Sequence, residues 1–239
     1  MEISVIVPVY NEYDNLQPLF ERLKSTLDKL GTSYELIFVN DGSTDASLNM
    51  LKEFYATHRE VVKIIDLSAN SGQHQAILAG FANASGNLLV TIDADLQNPP
   101  EEIENIVAKF KNGFDYIGTV RKARNDNAFR IYASKLMNKI RKILTHTPIA
   151  DQGCMLRGYE KNIAKKITNE ATNNAFIPIL GYNYASNPTE IDVCHSARNA
   201  GKSKYNVFSL IKLSTNLFKK QKSEQSIKRK YTIKEKIGF

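Results

Sequence analysis

Two aspartates one residue apart, Asp93 and Asp95, follow an apolar run in the segment TIDADLQNPP. If a strand continues through them, its two-residue period puts both side chains on the same side. Carboxylates this close repel each other, and a small set of hard oxygen ligands suits Mg²⁺ or Mn²⁺. Gln97 is placed to add a carbonyl oxygen. The pattern predicts a divalent metal site that also takes substrate phosphates, although acids at strand ends serve equally as turn formers and helix caps.

Polar residues also follow the first two predicted strands. Tyr10, Asn11 and Glu12 come after the first strand, and Asp41 comes at the end of the second. A tyrosine face can stack on a pyrimidine, and a carboxylate can accept hydrogen bonds from a base or a ribose. No Walker A or GxGxxG motif offers a competing nucleotide site. Together with the acidic pair, these residues predict a site for a nucleoside diphosphate and a metal ion.

The elements that must position these residues alternate along the chain. Short, β-branched, nearly continuous apolar runs predict buried strands, and amphipathic stretches between them predict helices. This alternation predicts an α/β fold with a mostly parallel sheet and helices on both faces. Ligands of such sheets bind beyond the carboxyl ends of the strands. The predicted strands are 3–9, 34–40, 61–67, 87–93 and 114–120, and the predicted helices are 14–30, 44–57, 72–84 and 99–112.

Charge and composition exclude several classes of protein. The net charge of +7 comes from residues 200–239, which carry eleven Lys and Arg and two Glu. The first 199 residues hold 21 basic and 23 acidic side chains, so the body of the chain does not resemble a nucleic-acid-binding domain. Cys154 and Cys194 lie far apart without metal-ligand spacing, which favours reduced thiols in the cytoplasm. The chain contains no signal peptide pattern and no apolar run of about 18 residues.

Seven segments together resemble family 2 glycosyltransferases of the GT-A fold: IVPVYNE, NDGSTD, NSGQHQAILAGF, DADLQNPPEEI, GTVRKAR, DQGCMLRGY and GKSKY. Within that family they are similar to the polyprenyl-phosphate glycosyltransferases, over about residues 1–218. The resemblance implies an inverting, metal-dependent transfer from a UDP-sugar to undecaprenyl phosphate. Similarity to the formamidoarabinose-transferring members of this group implies an amino- or deoxy-sugar donor.

The resemblance also implies a role for each matching residue. The nucleotide-sugar would contact Pro8, Tyr10, Asn11, Glu12, Asp41 and Asp93, and the metal ion, Mg²⁺ or Mn²⁺, would bind Asp93, Asp95 and Gln97. Asp95 and Asp151 would be catalytic, with Asp151 a base or a residue that orients the acceptor. The lipid phosphate would meet Arg121 and Arg130. A loop carrying Arg198, Ser203 and Lys204 would close over the donor diphosphate.

Three segments are expected: a GT-A domain over 1–206, an amphipathic basic helix over 207–220, and a flexible basic tail over 221–239. We expect the helix to lie in the membrane interface, on the cytoplasmic face, because a polyprenyl acceptor stays in the bilayer. The alternative is that this helix packs on the domain or on another subunit. One short helix binds membranes weakly, so a second copy or a membrane partner would strengthen the attachment.

Two other functions stay open from the residues. A transferase of the same fold could act on a saccharide or another soluble acceptor, although such acceptors favour aromatic platforms and the chain has no Trp. The second alternative is a non-catalytic nucleotide-sugar-binding partner of a membrane protein. The intact set of Asp93, Asp95, Gln97 and Asp151 argues against this second alternative.

Overall fold

One mixed sheet organises the computed structural model, which describes residues 2–121, 148–170, 176–194 and 231–239. In these ranges the sheet order is β7-β5-β6-β4-β1-β2-β3-β8. Strands β1 to β4 run parallel to one another, and β5 runs parallel to β7, while β6 and β8 are antiparallel to their neighbours. The strands are β1 (Glu2–Val9), β2 (Ser33–Asn40), β3 (Val62–Leu67), β4 (Leu88–Thr91), β5 (Tyr116–Arg121), β6 (Arg157–Glu160), β7 (Pro188–Val193) and β8 (Ile233–Ile237).

Helices cover both faces of this sheet. The helices are α1 (Tyr13–Lys29), α2 (Ser47–Thr57), α3 (Gln73–Asn83), α4 (Ile103–Lys111), α5 (Lys161–Glu170) and α6 (Ile177–Tyr184), with a 3₁₀ turn at Pro100–Glu102. Buried residues of α1, α2 and α4 form one core and those of α3, α5 and α6 form the other. The predicted mostly parallel sheet with helices on both faces is therefore confirmed.

Alternation along the central strands explains the two cores. In β2, Leu36 and Phe38 belong to the first core, and Ile37 and Val39 belong to the second. A strand buried on both faces must be apolar at every position, because successive side chains point to opposite faces. This is why the central strands read as continuous apolar runs and were predictable from the sequence.

The C-terminal segment differs from its prediction. The tail over 221–239 was expected to be flexible, which is wrong for its last residues, because β8 pairs antiparallel with β3. Tyr231 and Ile233 pack on the second core, and Ile237 packs on the first. These three apolar residues hold an otherwise polar segment on the sheet. The prediction missed them because it was based on the average composition of residues 221–239.

Several predicted features fall outside the described residues. These are the basic helix over 207–220 and the side chains of Arg130, Arg198, Ser203 and Lys204. Across the described ranges, no helix combines the length and the apolar character needed to cross a lipid bilayer.

A buried carboxylate ties the amino ends of β1, β2 and β4 together. Glu35 is 3% exposed, and its Oε1 accepts hydrogen bonds from Ser4 Oγ at 2.5 Å and from the Ser85 N–H at 2.7 Å. Its Oε2 lies 2.6 Å from Lys63 Nζ. Burial raises the pKa of Glu35, but the hydrogen bonds from Lys63, Ser4 and Ser85 outweigh burial and leave it below its ordinary value of 4.5.

Replacing Glu35 tests this arrangement at the end of the sheet opposite the polar loops. A carboxyl whose pKa is lowered by folding stabilises the fold above its unfolded pKa, and this contribution disappears as pH falls through the folded pKa. We expect Glu35→Gln to lower the free energy of unfolding at pH 7 by about 1–3 kcal/mol, and by less at pH 3, which is below the unfolded pKa. Urea denaturation at the two pH values measures both differences.

The exposed Glu53 on α2 provides the control. Glu53→Gln should change stability by less than about 0.5 kcal/mol at either pH. A Glu35→Gln chain that is as stable as wild type at pH 7 would contradict the assignment.

Candidate active site

The carboxyl ends of four strands meet at one edge of the sheet. Since β1, β2, β4 and β5 point the same way, the residues that follow them emerge together. Val9 pairs with Asn40 at the ends of β1 and β2, and Thr91 at the end of β4 pairs with Ile6. The predicted convergence of three polar strand ends is confirmed, and β5 adds a fourth.

The loops after β1 and β2 are hydrogen-bonded to each other. Oδ1 of Asn11 accepts the N–H of Thr44 at 2.7 Å, and the N–H of Asn11 donates to Ser43 Oγ at 3.0 Å. Asn11 has a φ of 53°, which asparagine tolerates better than most residues. Asn11 therefore shapes the loop that presents the half-buried Tyr10 and Glu12. Pro8, also predicted to contact the nucleotide, is half-buried near the end of β1.

Asp41 is buried, 3% exposed, and its carboxylate is hydrogen-bonded to the loop that leads into α3. Its Oδ1 accepts the N–H of Ser71 at 2.7 Å and its Oδ2 accepts the N–H of Gly72 at 2.9 Å. Burial raises the pKa of Asp41, and these two donors offset that effect only in part. Next to it, a Cβ at Gly42 would lie 2.6 Å from the backbone nitrogen of Asn70, so only glycine fits there.

The acidic pair lies in a turn beyond β4. The predicted strand over 87–93 ends at Thr91, so the argument that a shared strand face aligns Asp93 and Asp95 is wrong. Asp93 is half-buried and Asp95 is 7% exposed. Oδ1 of Asp95 accepts the N–H of Gln97 at 3.2 Å, across Leu96 with its φ of 60°. A tight turn therefore joins Asp95 to Gln97, directly after Asp93. We call residues 93–97 the acidic turn.

Gln73, which the sequence argument did not single out, contacts this turn. It is the first residue of α3, and its side-chain amide donates a hydrogen bond to Oδ1 of Asp93. The segment Ser71–Gln73 therefore touches Asp41 on one side and Asp93 on the other.

Arg121 and Asp151 form a two-pronged ion pair. Nε of Arg121 lies 2.6 Å from Oδ2 of Asp151, and Nη2 lies 2.9 Å from Oδ1. Burial lowers the pKa of Arg121, but the hydrogen bonds and charge of Asp151, together with the charge of Asp93, raise it above its ordinary value. The predicted acceptor residue Arg121 is therefore paired with the predicted catalytic residue Asp151, and it also feels the charge of Asp93 in the acidic turn.

Arg157 supports the segment that carries Asp151, and the sequence argument missed it. This side chain is 0% exposed. It donates to the carbonyls of Asp151 and Cys154, the latter at 2.7 Å, and to the hydroxyl of Tyr116 at 2.5 Å. A buried guanidinium with three such acceptors fixes the backbone of the 151–154 segment.

Cys154 links the same segment to Asn98, the residue that follows the acidic turn. Its Sγ accepts a hydrogen bond from Thr119 Oγ1 at 2.9 Å, and its thiol donates to Oδ1 of Asn98 at 3.4 Å. Burial raises the pKa of this thiol despite the hydrogen bond from Thr119. The residue is therefore a packed neutral thiol, as expected for a buried free cysteine.

The donor set of the turn fits a hard divalent cation. Residues 2–121, 148–170, 176–194 and 231–239 contain no group of three or more His, Cys, Asp or Glu side chains that could enclose a metal. Two carboxylates and an amide within five residues are the sparse oxygen set that Mg²⁺ and Mn²⁺ accept when substrate phosphates complete the coordination.

The site is elongated along the sheet edge. Four strand spacings separate β5 from β2 in the order β5-β6-β4-β1-β2, which is about 19 Å. Asp41 lies at one end of this distance, the acidic turn lies between, and Arg121 lies at the other end. The edge can therefore hold an extended ligand with a second ligand beside its far end.

Comparison with known proteins places this site in context. The family model described as "Glycosyl transferase family 2" matches residues 4–168. The undecaprenyl-phosphate 4-deoxy-4-formamido-L-arabinose transferases of Shewanella sediminis and Klebsiella pneumoniae are 46% and 44% identical to the chain over 215 and 216 residues. These alignments cover 90% of this chain and 65% and 66% of the relatives. The chain thus spans slightly less than two-thirds of the curated relatives it matches.

Solved structures share the architecture at low identity. Glucosyl-3-phosphoglycerate synthase from Mycobacterium tuberculosis, in complex with Mn²⁺, UDP and phosphoglyceric acid, gives a TM-score of 0.64 at 16% identity, covering 91% of this chain and 76% of that one. S. aureus TarS 1-349 in complex with UDP-GlcNAc gives 0.59 at 18% identity, covering 86% and 62%. These likenesses confirm the predicted GT-A fold.

The two cysteines test how the site is packed. Cys154 is buried and Cys194 is exposed. Because a buried thiol with a raised pKa reacts slowly, we expect one cysteine per native chain to react with a maleimide at pH 7.5, and two in urea. Mass spectrometry of the labelled chain counts them.

Two serine variants identify the reactive thiol. Cys194→Ser should abolish native labelling, whereas Cys154→Ser should retain it. Fast native labelling of Cys154 would show that its contacts with Thr119 and Asn98 are not maintained.

Proposed function

Because the chain belongs to glycosyl transferase family 2, we propose that it transfers a sugar from a nucleotide-sugar to undecaprenyl phosphate at the cytoplasmic membrane surface. The names of the relatives at 44–46% identity support this acceptor and a 4-deoxy-4-formamido-L-arabinose type of sugar. The observation that carries the proposal is the row of polar groups along the carboxyl ends of the strands. Asp41 binds the N–H groups of Ser71 and Gly72, Gln73 contacts Asp93, and Arg121 pairs with Asp151 at the end of β5. Such a row accommodates a donor and an anionic acceptor side by side.

The donor occupies the β1–β2–β4 part of the edge in this proposal. Tyr10 and Asp41 would contact the nucleoside, and Asp93 and Asp95 would lie beside the diphosphate. UDP is the proposed nucleotide, since fold neighbours were crystallised with UDP and UDP-GlcNAc. A divalent cation held by Asp93, Asp95 and Gln97 would neutralise the charge that develops on the departing nucleoside diphosphate.

The acceptor occupies the β5 part of the edge. A phosphate monoester is already an anion, so it needs cations to draw it in more than it needs a base. The guanidinium of Arg121 suits this task, because its planar fork matches phosphate geometry. Asp151 holds that guanidinium through both carboxylate oxygens, so we propose that Asp151 orients Arg121 and the acceptor.

The reaction is a single displacement. A phosphate oxygen of the acceptor attacks the anomeric carbon and forms the new bond. The bond from that carbon to the diphosphate breaks, and the nucleoside diphosphate leaves with the electron pair. One displacement at one carbon inverts its configuration.

Release of nucleoside diphosphate tests the function. We expect purified protein to release UDP from a UDP-sugar only when a short-chain polyprenyl phosphate and Mg²⁺ or Mn²⁺ are both present. Saccharide acceptors and the unphosphorylated polyprenol serve as controls. Release with a saccharide but not with the lipid phosphate would favour the soluble-acceptor alternative, and no release from any UDP- or GDP-sugar would contradict a catalytic role.

Arg121 tests the acceptor half. Since a charge-assisted hydrogen bond contributes about 1.5–3 kcal/mol, Arg121→Gln should raise the KM for polyprenyl phosphate about tenfold or more. The Kd for UDP, measured by calorimetry, should change by less than about twofold.

Arg22 is the matched control, because it forms the same two-pronged pair with Glu101 on the exposed surface, at 2.9 and 2.6 Å. Arg22→Gln should keep wild-type kinetics. If Arg121→Gln also keeps the wild-type KM for the lipid phosphate, Arg121 does not bind the acceptor.

A further inference from the structure

Gln73 stands at the junction of two parts of the site. It begins α3 directly after Gly72, whose φ of 92° turns the chain into the helix. The N–H groups of Ser71 and Gly72 are held by Asp41. The Gln73 side chain then reaches the turn after β4 and donates to Asp93 Oδ1. Three consecutive residues therefore connect the end of β2 with the end of β4.

We propose that Gln73 is a positioning residue for the metal site, fixing the carboxylate of Asp93 in the orientation that binds a divalent cation. This inference rests on the proposed function, because it takes Asp93 to be a metal ligand. It goes further by assigning a role to a side chain outside the acidic turn. It also assigns Asp41 a second role, since Asp41 holds the backbone from which Gln73 extends.

The chemistry of an amide suits this role. A hydrogen bond to one carboxylate oxygen restricts rotation of the carboxylate, and groups that orient metal ligands in this way raise metal affinity. An amide is neutral, so it orients Asp93 without neutralising the charge that attracts the cation. A lysine at this position would orient and neutralise together, and a glutamate would repel Asp93.

The arrangement around Asp93 shows why a neutral donor matters there. Arg121, at the end of β5, already brings one positive charge to this end of the sheet. Arg121 is itself bound to Asp151 through both carboxylate oxygens. A second cation at position 73 would leave the turn with less negative charge for a metal ion.

Binding of Mn²⁺ to the acidic turn tests the proposal directly. Gln73→Met preserves side-chain length and removes the donor. Free Mn²⁺ is titrated with the full chain and followed by electron paramagnetic resonance, with and without UDP. Because loss of an orienting partner weakens metal binding about 10- to 100-fold, the Kd for Mn²⁺ should rise at least tenfold.

Gln17 provides a matched control on the surface. Its amide donates to Oε1 of Glu21 at 2.7 Å on the exposed side of α1, which is the same kind of contact away from the site. Gln17→Met should leave the Kd for Mn²⁺ within about twofold of wild type. The melting temperatures of the two variants should both stay within about 3 °C of wild type, since each loses one partly exposed hydrogen bond.

Kinetics separate positioning from a structural role. In the release assay, Gln73→Met should need at least tenfold more Mn²⁺ for half-maximal rate, with kcat recovering at saturating Mn²⁺. Gln73→Lys should also bind Mn²⁺ more weakly, although it retains a donor. A lower kcat with an unchanged Mn²⁺ dependence would mean that Gln73 is only structural and would overturn the proposal.

Asp93→Asn distinguishes failure of this inference from failure of the proposed function. If Asp93→Asn abolishes Mn²⁺ binding while Gln73→Met binds Mn²⁺ as tightly as wild type, the acidic turn binds the metal ion but the proposed role of Gln73 is wrong. If neither variant changes Mn²⁺ binding, the metal is not held by this turn, and the role of Gln73 and the proposed metal site are both wrong. Weaker binding in both variants, with Gln17→Met unchanged, is the result that supports the proposal.

Discussion

The site depends on holding four carboxylates along one edge of a mostly parallel sheet. Each is met by a different kind of partner: backbone N–H groups for Asp41, an amide for Asp93, the turn backbone for Asp95 and a guanidinium for Asp151. Grouped negative charge is unfavourable unless donors or cations compensate it. The fold therefore surrounds these groups with fixed donors, and the same excess of acid favours binding of a metal ion.

This constraint explains why the edge divides into two parts. Toward β2 the carboxylates are bound by neutral backbone and amide donors, which keep their charge available for a cation. Toward β5 the carboxylate of Asp151 is bound by Arg121, and the fully buried Arg157 fixes the backbone beneath it. In the proposed reaction the first part holds a donor diphosphate with its metal, and the second part presents a cation to an acceptor phosphate.

The sequence predicted the scaffold well, because strands buried on both faces must be continuously apolar and the polar residues after them must meet at one edge. It misjudged the acidic pair, because the end of a short strand depends on its pairing with neighbours, and β4 stops at Thr91. It missed Gln73 because the contact with Asp93 spans 20 residues. It missed Arg157 because this arginine is buried against Tyr116, 41 residues away, which the local sequence does not show. It missed β8 because three apolar side chains fix a segment that is otherwise polar.

A crystal of the protein grown with Mn²⁺ and UDP would test the central claim most directly. Anomalous scattering from manganese should give a peak within bonding distance of the Asp93 and Asp95 carboxylates and of the UDP phosphates. If UDP occupies the edge and no manganese peak lies at this turn, or if the peak lies elsewhere, the claim that the acidic turn holds the metal ion is wrong.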